Sequence, residues 1–168
     1  ILKAIHTPGH TNGSFCFIID DGNDNLSAGE QNGRPSYLFT GDTLFVDSVG
    51  RPDLREDAKN SAGRLYDTYH QKIAMLPENT VVLPAHFNLN TVALKHSIPI
   101  FGTIASLKQK IKISGINRDE FIKYVTDALP PTPMNYRTII SINKKMLTYD
   151  EGQIPDLESG PNSCAIST

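Results

Sequence analysis

Three apolar segments of the chain each end in a polar side chain that could bind a metal. His10 follows the turn residues Pro8 and Gly9, Asp42 follows YLFTG, and His86 follows VVLPA. Polar residues at strand ends are presented by loops on a rigid scaffold, which is where active sites are usually built. Two imidazoles and one carboxylate are a suitable ligand set for zinc or non-haem iron, and a fixed backbone needs little rearrangement when the metal binds. The pattern therefore predicts a metal site.

Each of these residues also has an ordinary structural explanation when it is taken alone. A histidine after Pro-Gly is typical of a turn, and Asp42 in TGDT could form a turn or cap a helix. His86 by itself could be a partly buried histidine with a hydrogen-bond partner. The combination of three strand ends, rather than any one residue, favours the metal site.

The hydrophobic pattern predicts alternating strands and helices. A near-continuous apolar run at 14–20, rich in Phe and Ile, predicts a buried strand. Asn117, with Glu120 three positions later, predicts a capped helix start. The alternation favours an α/β layered domain, followed by a mobile tail. The predicted strands are 1–6, 14–20, 37–42 and 81–86. The predicted helices are 55–76, 103–112, a third that begins at Asn117, and 135–147. The predicted tail is 150–168.

Composition limits the classes of partner. The 168 residues suffice for one domain, and 16 Lys and Arg against 18 Asp and Glu give a net charge of −2, which favours neither nucleic acid nor an anionic membrane. No apolar run approaches the roughly 20 residues of a membrane span, and no signal peptide is recognisable, so we expect a cytoplasmic protein. The first residue, Ile1, already lies in a predicted strand, and we expect an N-terminal half to be missing.

Taken together, the motifs HTPGHT, LFTGDTLFVDSVGRPDL and VVLPAHF resemble the second half of a metallo-β-lactamase-fold hydrolase or oxygenase. The resemblance covers residues 1–149 and implies an αββα sandwich with metal bound at one edge of the two sheets. It implies that His10 is a metal ligand and that Asp42 ligates or bridges metal. His86 is implied to bind a second metal in two-metal members.

One departure from the family pattern affects the metal site. The family's HxHxDH cluster should precede His10, but the chain contains no HxH, and His6, His70 and His96 are isolated. The remaining ligands are therefore expected from an absent N-terminal half or from a partner chain, a homodimer included. The chain alone could be catalytically silent. We also expect strands 1–6 and 14–20 to leave an exposed apolar face, so that these 168 residues are marginally stable or associate.

The run GRPDL, the helix with LYDTY, and PAHF followed by GTIASLKQK and LPPTP resemble persulfide dioxygenases and related proteins fused to rhodanese modules. That resemblance implies oxidation of a glutathione-type persulfide by O2 to sulfite and the thiol. It implies one iron(II) held by two histidines and one aspartate, with His10 and Asp42 as two of these ligands and His86 nearby. Asp42, His86 and Arg51 are the candidate catalytic residues, and Arg51 either organises this loop near the metal or is an ordinary surface arginine.

Two other functions stay open at this point. One is a zinc-dependent thioester hydrolase of the glyoxalase II type, in which two metals activate water and His86 is a ligand. The sequences GRPDL and PAHF argue against this hydrolase. The other is a non-catalytic half-domain. The two cysteines form no disulfide framework: Cys16, in an apolar strand, is expected to be a buried packing residue, and Cys164 an incidental exposed thiol.

Overall fold

A five-stranded sheet organises the computed structural model, which describes residues 1–20, 35–54, 57–87, 99–129, 131 and 135–159. Its strands lie side by side in chain order. Strand β2 is antiparallel to both β1 and β3, β3 and β4 are parallel, and β5 is antiparallel to β4. The strands are β1 (Leu2–His6), β2 (Phe15–Ile19), β3 (Tyr37–Gly41), β4 (Val81–Pro84) and β5 (Gly102–Thr103).

The predicted helices are present, although their bounds differ from the expected ones. The first helix continues into a π-helical segment, Tyr69–Ile73, and a 3-10 turn at Lys112–Gly115 precedes the third. Short helical turns also occupy residues 151–159, in the first half of the predicted tail. The α-helices are α1 (Ala58–Thr68), α2 (Ile104–Lys110), α3 (Arg118–Asp127), α4 (Tyr136–Asn143) and α5 (Ile154–Ser159).

The predicted cap of α3 is confirmed. The Asn117 side chain accepts a hydrogen bond from the Glu120 amide, and the Glu120 carboxylate accepts one from the Asn117 amide, each at 3.0 Å. Two of the otherwise unpaired amides at the helix start are satisfied in this way. Because this signal is local, the sequence alone could locate it.

One face of the sheet is covered by α1, α2 and α3, and the domain core lies between them. Burying this many large apolar side chains is the main favourable contribution to folding. The core includes Cys16, Ile18, Leu38 and Val82 from the sheet, Leu65 from α1, Leu107 from α2, and Phe121 and Val125 from α3.

The strand predicted at 14–20 is present as β2, and only one of its two faces is buried, which agrees with the expected exposed apolar face. Its burial alternates, with Cys16 and Ile18 in the core and Phe15, Phe17 and Ile19 exposed. Successive strand side chains point to opposite faces, so an apolar run does not itself place both faces in a core. The exposed residues form an apolar outer face of the sheet, comprising Leu2, Phe15, Phe17, Ile19, Tyr37 and Phe39.

We expect the 168-residue chain to associate through this outer face. Phe17 and Phe39 are cross-strand partners and are 44% and 42% exposed, so a lysine at residue 17 should place a charge in the middle of the contact. Phe17→Lys should weaken association about tenfold or more, since burial of one such side chain contributes roughly 1.5–3 kcal/mol. Sedimentation over a concentration series measures this. Met75→Lys, at an exposed methionine away from the sheet, is the control; a wild-type chain that stays monomeric at high concentration would contradict the expectation.

Several sequence features lie outside the described residues. These are the Gly- and Asn-rich stretch 21–34, residues 88–98 with His96, most of PPTP, and residues 160–168 with Cys164. Among the residues that are described, no helix combines the length and apolar character that crossing a membrane requires.

Candidate metal centre

The strand directions bring the three predicted ligands to one edge of the sheet. Strands β1 and β3 are each antiparallel to β2, so they run in the same direction, and β4 is parallel to β3. The carboxyl ends of all three strands therefore lie at the same edge. Asp42 directly follows β3, His86 lies two residues beyond β4, and His10 lies on the turn between β1 and β2. Loops at the carboxyl ends of such strands commonly carry binding sites.

There, Asp42 lies against both His10 and His86. The Nε2 atom of His10 lies 3.8 Å from Oδ2 of Asp42. The other carboxylate oxygen, Oδ1, accepts a short hydrogen bond from Nδ1 of His86. His10 is buried, whereas the side chain of His86 is 47% exposed. Asp42 is thus the central member of the three.

The side-chain atoms of His10, Asp42 and His86 are not arranged as three ligands around one metal ion. Among the described residues, no group of three or more His, Cys, Asp or Glu side chains is placed to hold a metal. Metal–ligand bonds of about 2.0–2.2 Å keep neighbouring donor atoms roughly 3 Å apart, which the His10–Asp42 pair approaches. The His86–Asp42 pair is instead in direct hydrogen-bond contact. Within the described residues, only His10 and Asp42 are therefore placed as two ligands of one metal ion would be.

The protonation of His10 suits a metal ligand. Its Nδ1 lies 2.8 Å from the backbone carbonyl of Arg51, and a carbonyl can only accept, so Nδ1 carries the proton and Nε2 presents a lone pair to Asp42. Burial lowers the pKa of His10, although the charge of Asp42 opposes this shift. A neutral imidazole whose other nitrogen is hydrogen-bonded to a carbonyl is the usual state of a metal-ligating histidine. The residues present therefore fit a metal ion on chemical grounds.

Arg51 is not a surface arginine, which was one of the two interpretations of its position in GRPDL. Its side chain is 1% exposed. The guanidinium donates to both carboxylate oxygens of Asp53, at 2.7 Å from Nε and 2.8 Å from Nη2, and to the Pro131 carbonyl at 3.1 Å. The prediction that Arg51 is catalytic stays a prediction; in the described hydrogen bonds it is the Arg51 backbone carbonyl that contacts His10.

Two glycines allow the loops to pack closely. A Cβ added at Gly50 would lie 1.8 Å from the backbone oxygen of Asp42 and 2.9 Å from Nδ1 of His10. Gly9 has a φ of +148°, and a Cβ there would lie 2.6 Å from Cα of Leu65 on α1. Neither position has room for a side chain. The loops that carry His10 and Asp42 are therefore in direct backbone contact with their supports.

Contacts with helix α1 and with the residue that follows β1 hold the His10 turn in place. The Thr68 hydroxyl donates to the Pro8 carbonyl at 2.7 Å. Under the site, Cys16 donates through its thiol to Thr7 at 3.4 Å, and burial raises the pKa of that thiol. The expectation that Cys16 is a buried packing residue is confirmed, and the thiol stays protonated.

The isolated histidines do not join this cluster where they are described. The His6 ring nitrogen Nε2 contacts the Asn12 carbonyl at 2.7 Å, and His70 packs against the rings of Tyr66 and Tyr69. Sequence reasoning missed Gly50 and Asp53, although both lie within the motif VGRPDL that carried the family resemblance. The sequence signal that could have identified these two residues was a glycine and an aspartate on either side of Arg51 and Pro52.

The sequence comparisons cover only part of each relative. No family model matches the chain. The mitochondrial persulfide dioxygenase ETHE1 of Homo sapiens is 31% identical over 118 residues, which are 68% of this chain and 40% of that protein. A probable hydroxyacylglutathione hydrolase of Schizosaccharomyces pombe is 32% identical over 85 residues, 51% of this chain and 27% of that protein. The chain spans less than half the length of these curated relatives.

The structural comparisons agree on the fold. A metallo-β-lactamase from Staphylococcus aureus matches with a TM-score of 0.69 and 27% identity, over 89% of this chain and 42% of that one. ETHE1 from Myxococcus xanthus matches with a TM-score of 0.64 and 26% identity, over 85% of this chain and 52% of that one. In both cases the described sheet and helices correspond to about half of the longer structure.

Proposed function

Since this chain has the metallo-β-lactamase fold, corresponding to about half of the solved structures it matches, we propose that it forms the second half of a metal-dependent persulfide dioxygenase. The substrate is a glutathione-type persulfide. The reaction consumes one O2 and one water and yields the thiol and sulfite with two protons. Atoms balance in this equation without a further oxidant, because O2 takes up the four electrons that the terminal sulfur loses.

The observation that carries the proposal is the pairing of a buried, neutral His10 with the Asp42 carboxylate. The lone pair on Nε2 and the carboxylate oxygen Oδ2 face each other at 3.8 Å. Two acceptors facing each other are stabilised by a cation between them, and a histidine–carboxylate pair matches part of the ligand set of non-haem iron oxygenases. Likeness to ETHE1 proteins in both sequence and fold supports iron(II) and a persulfide substrate.

Bound iron(II) would supply the one-electron chemistry that O2 requires and a common centre for sulfur and oxygen. The side chains of this chain have positioning tasks. Asp42 supplies negative charge, and His10 supplies a neutral nitrogen with a fixed orientation. His86 donates to Oδ1 of Asp42 and so orients Oδ2 toward His10. The His86 side chain is 47% exposed.

The remaining ligand is proposed to come from polypeptide outside these 168 residues. The apolar outer face of the sheet is of the kind that the second sheet of an αββα sandwich buries. A first half of the same domain would supply both that sheet and a further histidine. A partner chain, including a second copy, is the alternative source.

Metal analysis combined with oxygen uptake tests the proposal. The natural full-length protein that contains these residues is purified, its iron and zinc are quantified, and O2 uptake is followed on glutathione persulfide. We expect about one iron per chain and uptake with sulfite as product. An iron-loaded protein that consumes no O2 with this substrate would contradict the proposal.

A second candidate is a two-zinc thioester hydrolase, favoured by the nearness of His86 to Asp42, because an ion that replaced their hydrogen bond would be held by both side chains. Two zinc ions per chain and hydrolysis of a glutathione thioester would support it. Absence of bound metal in the full-length protein would favour a non-catalytic domain instead. Each of the three results therefore selects one function.

A further inference from the structure

We propose that Asp53 is a positioning residue for His10, which it controls through Arg51. The inference deepens the proposed function and rests on His10 being a metal ligand. Asp53 touches neither His10 nor Asp42 in any described hydrogen bond. Its effect is on the carbonyl group to which His10 donates.

The Arg51–Asp53 pair closes a very short loop. The two residues are separated only by Pro52, whose ring fixes one backbone angle. Both carboxylate oxygens of Asp53 accept from the guanidinium, which is the paired geometry that only arginine can provide. Burial alone would raise the pKa of Asp53, but hydrogen bonds and charge from Arg51 outweigh it, so the pKa lies below its ordinary value and the carboxylate is ionised.

A third contact ties the pair to the rest of the domain. The Nη1 atom of Arg51 donates to the carbonyl of Pro131, which lies just beyond α3 and 80 positions along the chain. The arginine side chain is thus held from two directions while being almost fully buried. Such a side chain has little freedom, and neither has the backbone from which it extends.

The backbone of Arg51 determines which nitrogen of His10 is protonated. Its carbonyl accepts from Nδ1 at 2.8 Å, and this contact leaves the lone pair on Nε2, facing Asp42. If the loop relaxes, the Nδ1 proton loses its acceptor, and the proton can move to Nε2, where it would donate to the Asp42 carboxylate. That tautomer cannot bind a metal through Nε2. Asp53 therefore favours the ligand form of a histidine that it does not touch.

The first test is the tautomer of His10 in metal-free protein, read from the nitrogen chemical shifts in NMR spectra. We expect protonation at Nδ1 in the wild type and a mixture of tautomers in Asp53→Asn, which keeps the size of the side chain but removes its charge. Asp67→Asn is the matched control, because Asp67 on α1 also accepts from an arginine, Arg118 on α3, in an exposed pair at 3.4–3.5 Å. An unchanged Nδ1 tautomer in Asp53→Asn would overturn the proposal.

The second test is the affinity for Co²⁺, followed by its visible absorption in the natural full-length protein. Loss of an outer-shell partner typically weakens metal binding roughly 10–100-fold, which we expect for Asp53→Asn and not for Asp67→Asn. Arg51→Lys keeps the charge but loses the two-point contact, and should fall between wild type and Asp53→Asn. If Asp53→Asn does not fold, Arg51→Lys decides: unaltered tautomer and affinity in that variant would overturn the proposal.

The two tests separate this inference from the proposed function. A wild-type protein that binds no Co²⁺ would count against the metal-dependent function. The tautomer measurement needs no metal, and a shifted tautomer in Asp53→Asn would still support the positioning role of Asp53. A wild-type protein that binds Co²⁺ together with an unshifted tautomer would leave the function standing and remove Asp53 from it.

Discussion

Asp42→Ala is expected to abolish metal binding and, with it, the proposed oxidation of a persulfide. Asp42 is the central member of the candidate site, since one carboxylate oxygen faces Nε2 of His10 and the other accepts from His86. Its removal deletes a ligand and also frees His86. We expect a loss of at least a hundredfold in metal affinity and turnover, beyond the roughly 10–100-fold that loss of an outer-shell partner costs. Metal content and O2 uptake are the measurements.

Two further variants separate the effect of charge from that of shape. Asp42→Asn keeps the shape of the side chain and one acceptor oxygen, and we expect it to be nearly as impaired, because a neutral amide is a weak ligand for these metals. Asp47→Asn removes a carboxylate from the same loop, one that accepts a hydrogen bond from the Ser48 hydroxyl at 3.3 Å, and should keep near-normal activity. A fully active Asp42→Asn enzyme would show that Asp42 serves the fold rather than the metal.

The sequence located the three strand ends because the signals there are local. Turn residues and apolar runs marked where β1, β3 and β4 stop, and the Asn117–Glu120 cap is complete within four residues. Strand order and direction are not local properties. Only the observed parallel pairing of β3 with β4, and the common direction of β1 and β3, explain why these three ends meet at one edge.

The two faces of β2 show a different limit of prediction from the sequence. The residues FCFII are apolar throughout, so the sequence does not distinguish a strand buried on both faces from one that awaits a second sheet. The packing of α1, α2 and α3 on the Cys16 and Ile18 side shows which face is covered within the described residues. The two-residue strand β5 was missed because such a short pairing has no period to detect.

The supports of the site were hidden because they depend on contacts between residues far apart in the sequence. Arg51 reads as an arginine beside a proline turn, yet its carbonyl meets His10, 41 positions earlier, and its guanidinium meets Pro131, 80 positions later. The sequence shows a motif at such places, but the fold determines its partners. Asp53 and Gly50 were therefore invisible as functional residues even though they flank Arg51.

Gly50→Ala is the substitution from which we expect the largest loss of stability in this region. The added methyl would lie 1.8 Å from the Asp42 backbone oxygen, well inside van der Waals contact, and 2.9 Å from Nδ1 of His10. The first of these atoms belongs to the backbone and cannot rotate away. The loop must move as a whole, at a cost of about 1–3 kcal/mol or more in the free energy of unfolding. Denaturant unfolding measures this loss.

The same movement should separate the two candidate ligands from their supports. Displacing residue 50 moves the neighbouring Arg51 carbonyl away from His10 and pushes on the segment that carries Asp42, so metal affinity should fall together with stability. Gly13→Ala is the matched control, because a Cβ there meets nothing within 4 Å. It should change neither quantity measurably. If Gly50→Ala lost stability but kept wild-type metal affinity, the close packing of this loop would serve the fold alone, and the metal would have to be held without the Arg51–His10 contact.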